Sequence, residues 1–142
     1  MLFSKQLFDK ENQMSSRESQ ARKLIKKYRK ILDMYDLDLS LAESGWYLQN
    51  QYASEAQKRF FKQGLNFRWE VKIAKLKQKF GPEFVELMNN HNKSYDREKV
   101  KLGGRCSVKR FEKFIRARER RIVRRVATLI KKKRVKLPEG IA

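Results

Sequence analysis

Fourteen Lys or Arg side chains crowd residues 107–136 (SVKRFEKFIRARERRIVRRVATLIKKKRVK), and the chemistry open to them is the binding of phosphate. Only Glu112 and Glu119 oppose them, so the run carries a net charge of +12. Eight of the fourteen are Arg, whose planar fork suits phosphate oxygens better than the point charge of Lys. Pairing along a helix cannot neutralise such a run, because each i,i+4 ion pair contributes only about 0.2–0.5 kcal/mol and like charges at that spacing cost as much. At 100° per residue, Phe111, Ile115, Ile122, Val126 and Leu129 share one narrow face, and Lys109, Lys113, Arg116, Arg120, Arg124 and Lys131 the opposite one. A helix that docks its apolar side leaves the cationic side for a polyanion, most simply nucleic acid. The candidate contacts are Lys109, Arg110, Lys113, Arg116, Arg120, Arg121, Arg124, Arg125, Lys131, Lys132, Lys133 and Arg134. Arg105 just upstream joins them, as do Lys23, Lys26, Lys27 and Lys30 on an earlier basic segment. Phosphate contacts position a protein without reading bases, so they carry no information on sequence preference.

Other residue groups admit other chemistry. Asp33, Asp36 and Asp38 fall in a stretch, 31–57, that holds five acids and no Lys or Arg. Three carboxylates can hold a divalent metal for phosphodiester cleavage, but no His or Lys accompanies them. The simpler reading is turn chemistry before a helix cap at Ser40, or a patch that docks on a basic surface. Trp46, Tyr47, Tyr52, Phe60, Phe61, Phe67, Trp69 and Phe80 are interleaved with Lys58, Arg59, Lys62 and Arg68. Rings beside cations can stack unpaired bases. Tyr52, Phe60, Trp69 and Phe80 sit on periodic faces and are expected in the core, which leaves Tyr47, Phe61 and Phe67 as the rings to test for exposure. Gly103-Gly104-Arg105 ahead of Ser107 has the makings of a single-phosphate nest, without the Walker spacing that nucleotide hydrolysis requires. Cys106 and His91 are the only residues of their kinds; neither has neighbours that would make it a nucleophile or a base. No catalytic constellation, metal site or cofactor is expected.

Composition narrows the class. The 142 residues carry 36 Lys plus Arg against 16 Asp plus Glu, a formal charge of +20. The excess is concentrated in the second half, where residues 72–142 hold +16. Such a charge repels itself and calls for a neutralising partner. One cysteine forms no internal disulfide, which points to a reducing, intracellular compartment, the cytoplasm or an organellar matrix. No apolar run approaches the roughly 20 residues that span a bilayer. The opening MLFSKQLFDKE is apolar over too short a stretch for a secretory signal, and is expected to belong to the mature protein.

These residues need helices to position them. Capping-box patterns at Ser15–Glu18 and Ser40–Glu43 open two apolar series, the first running from Ala21 through Leu24, Ile25, Tyr28, Ile31 and Leu32 to Tyr35. Gly64 and Gly81-Pro82 read as stops. The expectation is a single all-α domain of about five helices, at 15–35, 40–63, 66–80, 82–90 and 107–134. Residues 89–106 are read as a loop and 135–142 as a tail. The function expected is non-catalytic nucleic-acid binding, with RNA favoured over DNA, in a ribonucleoprotein assembly such as a ribosome. The alternatives are a DNA-binding accessory protein of replication, transfer or a mobile element, and an adaptor that binds protein through 31–57.

Overall fold

A computed structural model describes the backbone of residues 2–103 and 106–141, with side chains from residue 16 onward. Four helices account for nearly all of it: α1 (Leu2–Gln49), α2 (Glu55–Phe80), α3 (Pro82–Leu102) and α4 (Val108–Lys131). No strand occurs among the described residues. The core gathers one stretch from each helix. Ala21, Leu24, Ile25 and Tyr28 come from α1, Leu76 and Phe80 from the end of α2, Phe84, Val85 and Met88 from the start of α3, and Ile122, Val123 and Val126 from α4. Tyr28 stands edge-on to Phe80 and Phe84, with centroids 5.8 and 5.2 Å apart, a geometry that ring quadrupoles favour. Burial of such side chains contributes about 1.5–3 kcal/mol each.

Five expected helices are therefore four, and the reasons are local. Ser15 and Ser40 lie inside α1, which runs unbroken through the expected 36–39 turn. Its real end comes ten residues later. The Asn50 side chain donates to the Trp46 carbonyl at 2.8 Å, where the backbone amide also bonds at 2.9 Å, and the chain turns. Ser54 then caps α2 reciprocally with Gln57, accepting from its amide at 3.2 Å while the Gln57 side chain accepts from Ser54 N–H at 2.8 Å. Gly64 does not stop anything: it is an exposed residue within α2, with open space where a Cβ would stand. The expected loop at 89–106 is mostly helix, since α3 continues to Leu102. What holds it there is α4. Tyr95 stacks on Phe114 at 6.0 Å, and Glu98 accepts from Arg118 at 2.9 Å.

Between Arg29 and Lys75 no residue is buried. This length of α1 and α2 forms an antiparallel hairpin that leaves the core as an arm, joined by Tyr35 stacked on Trp69 (5.7 Å) and Trp46 on Phe61 (4.5 Å). At the other end of the chain, residues 132–141 return across the α2–α3 elbow. The Lys136 amide donates to the Phe80 carbonyl at 3.0 Å, and Val135, Leu137 and Ile141 pack on the core. Gly81 makes the elbow possible. Its φ of 98° is open to glycine, and a Cβ there would meet the Arg134 carbonyl at 3.4 Å.

Candidate nucleic-acid interface

Ser107 starts α4, its hydroxyl accepting from the Arg110 amide at 3.3 Å. From there 24 residues extend about 36 Å at 1.5 Å per residue. The helix buries Ile122, Val123 and Val126 against α1 and α3, half-buries Phe111 and Leu129, and leaves Ile115 at 39 % exposure. The opposite side is cationic. Lys109, Arg110, Lys113, Arg116, Arg120, Arg121, Arg124, Arg125 and Lys131 are all exposed. Arg120, Arg121, Arg124 and Arg125 line a shallow depression of about 450 Å³ together with Ala117. The small side chain of Ala117 leaves room beside the four Arg residues, whose charge suits phosphate.

Two anions might have cancelled this face, and the fold disposes of one. Glu119 accepts a bidentate pair from Arg29 of α1, at 2.8 and 3.0 Å. That pair sets α1 beside α4 and brings a second basic row near the first: Lys23, Lys26 and Lys30 are exposed, and Lys27 is half-buried. Glu112 is exposed and makes no ion pair among the described residues. Arg118 belongs to the run but not to the face. It is 6 % exposed, bound to Glu98 and to the His91 carbonyl (3.2 Å), with its guanidinium 5.6 Å from the Phe114 ring centroid.

The last cations divide. Lys131 closes α4, where positive charge complements the helix dipole. Lys132, Lys133 and Arg134 follow in the turn beyond it, all exposed, and Arg134 faces Glu83 at 3.7 Å. Arg105 and its neighbour Gly104 lie outside the described residues, and with them most of the proposed Gly103–Arg105 nest.

The aromatic expectations are partly reversed. Phe67 is exposed, but Tyr47 and Phe61 are half-buried in the stack around Trp46. Tyr52 and Phe60, expected in the core, are 98 % and 79 % exposed, because one sits in the interhelix turn and the other borders an open depression of the arm beside Trp46 and Asn50. Asp33 and Asp36 line an open depression with Asp96, Lys77 and Lys93. Among the described residues no three His, Cys, Asp or Glu side chains stand close enough to hold a metal ion. Of the cations interleaved with the rings, Arg59, Lys62 and Arg68 are exposed along α2, and so is Lys75, which the sequence did not single out.

Tyr28 and His91 titrate away from their ordinary ranges. Burial raises the Tyr28 hydroxyl to about 12; it donates to the Asn89 side-chain oxygen at 3.1 Å. Burial also lowers His91, assisted by the nearby charges of Arg118, Arg29 and Arg125 and opposed by Glu119. Neither group lies on the cationic face. The chain matches no family model, and no curated protein or solved structure is significantly similar to it.

Proposed function

We propose that the protein is a non-catalytic nucleic-acid-binding protein that grips phosphates through α4 and the adjoining basic row of α1. RNA within a ribonucleoprotein assembly is the favoured target. One observation carries this reading. The apolar side of α4 is docked while its exposed cations, Arg120, Arg121, Arg124 and Arg125 foremost, keep no carboxylate partner among the described residues. A surface so charged is unfavourable until a polyanion neutralises it, and release of condensed counterions from the nucleic acid then drives binding.

The test is a salt titration with duplex RNA and duplex DNA of matched length. If about six side chains neutralise phosphates, log K against log salt slopes by roughly −5. Arg116→Gln, Arg120→Gln and Arg124→Gln together are expected to weaken binding for every sequence tried and to flatten that slope by up to about 3. Unchanged affinity and slope in the triple variant would overturn the reading. Tighter binding of DNA than RNA at matched salt would move the target to the accessory-protein alternative.

A further inference from the structure

The arm carries two apolar rows that its own packing leaves open. On α1, Met34, Leu37, Leu41 and Leu48 step by three, four and seven, the spacing of a heptad seam. On α2, Phe60, Phe67 and Val71 step by seven and four, with Gly64 at the intermediate position. These seven residues are between 38 % and 79 % exposed. At 100° per residue the α1 row lies on the opposite side of its helix from Tyr35 and Trp46. The α2 row lies opposite Trp69 but nearer Phe61, where Phe60 borders an open depression with Trp46, and Phe67 and Val71 border one with Tyr35. The ring stacks join the hairpin beside these rows without covering them, as their exposure shows.

The rows differ in the charge beside them. From Ile31 to Gln49, α1 has Asp33, Asp36, Asp38 and Glu43 and no cation, whereas α2 has eight Lys or Arg against Glu55 and Glu70. The two helices lie side by side, yet among the described residues none of those four α1 acids is ion-paired, nor are Arg59, Lys62, Arg68, Lys72 or Lys75. Each row thus presents an apolar seam flanked by charge that the other row complements.

We propose that the protein associates head to tail with further copies of itself, the acid-flanked α1 row of one copy seating on the base-flanked α2 row of the next. Together the seven side chains expose on the order of 800 Å², which places one contact at the small, reversible end of specific interfaces. Because one contact joins two different rows, a copy bound through its α1 row keeps its α2 row for the next copy, and a head-to-tail contact of this kind does not end at two. Single-stranded nucleic acid stacked on Phe60 and Phe67 is the competing occupant. It leaves the row of Met and Leu on the acidic helix without a use, since phosphate is repelled there. The inference stands apart from the reading of α4 and uses none of its residues.

The experiment is sedimentation of the full chain, freed of nucleic acid, over a range of concentrations. Wild type is expected to grow past two copies as concentration rises. One variant breaks the α1 row (Leu37→Lys with Leu41→Lys) and a second breaks the α2 row (Phe60→Glu with Phe67→Glu). Each alone is expected to stay monomeric, because every contact needs one intact row of each kind. Mixed together, the two are expected to form a 1:1 dimer and nothing larger, through the α1 row of the second and the α2 row of the first. That dimer would also establish that both variants fold. Wild type that stays monomeric throughout overturns the proposal, as does either variant associating alone like wild type. So does a mixture that remains monomeric while both variants keep wild-type helicity; a variant that loses helicity is replaced by its milder form, Leu41→Ser or Phe67→Ser. If all forms are monomeric and the Phe60→Glu, Phe67→Glu chain loses affinity for single-stranded RNA, the α2 row is a base-stacking platform instead.

Discussion

Arg118 takes a charge into the interior on the very helix whose other cations face water. Its Nη1 donates to Glu98 and its Nη2 to the His91 carbonyl, while Nε is buried with no partner. A buried ion pair often adds little net stability, yet removing one partner is costly because the other stays desolvated. Glu98 is 45 % exposed at the side chain and recovers some hydration. Arg118→Ala is therefore expected to destabilise by about 2–3 kcal/mol, below the range for a fully buried pair, as read by urea unfolding. His91, one contact away, gives a pH effect of definite sign. Its folded pKa lies below the ordinary 6.5, so the unfolded chain binds more protons than the folded one once that value is approached from above. Stability is then fully present above pH 6.5 and is lost as pH falls through the folded pKa. Thermal midpoints should drop on mild acidification, before carboxylates titrate, and His91→Gln should flatten that part of the curve.

The helices end where side chains and turns compete with their hydrogen-bond ladders, and α4 offers a measurable case. Past Lys131 the Lys133 amide bonds to the Ile130 carbonyl (3.1 Å) and the Arg134 amide to the Leu129 carbonyl (3.0 Å). That is a Schellman motif, and its left-handed position, at φ 57°, holds Lys133 rather than glycine. Lys133→Gly is expected to stabilise by about 0.5–1 kcal/mol by relieving a strained Cβ, provided calorimetry is done without nucleic acid. The same competition explains what could be read from the residues alone. All-helical architecture was legible because 21, 24, 25, 28 and 111, 122, 126 repeat at helical spacing with no alternating stretch. The cationic face was legible because charge is a property of composition. The helix count was not. Ser40 and Gly64 carry local signals worth about 1 kcal/mol each, too weak to break helices whose rings are stacked across the arm. Ser54–Gln57 was a capping box in plain view, but it follows Asn50 in a stretch whose aromatics looked like continuous core. Residues 89–102 lack periodicity because single contacts from Tyr95 and Glu98 to α4, not a repeating face, keep them helical.

Taken as a whole, the molecule is tight at one end and thin at the other. Among the described residues, all twelve buried apolar side chains lie within 21–28, 76–88 and 122–126, and the arm between is held by two ring stacks. Hydrogen exchange is expected to be slowest in those three segments. Between about Asp33 and Val71 protection should be lower by roughly 100-fold, reflecting opening that does not require global unfolding. Equal protection along α1 would mean that the arm is stabilised by something beyond its stacked rings, association included.

The pairing of the first helix with the last has a consequence for how the chain is made. Arg29 and Glu119 are 90 residues apart, and Ile122, Val123 and Val126, which share the core with Leu24 and Tyr28, come last among its described buried residues. At ribosomal rates of about 5–20 residues per second, the apolar side of α1 waits roughly 5–20 seconds for them. During that interval a nascent chain displays an uncovered greasy stripe on a strongly basic polymer, close to ribosomal RNA. Its birth is when it is most exposed to misassembly, and the helix that carries the cationic face is also the one that ends the danger.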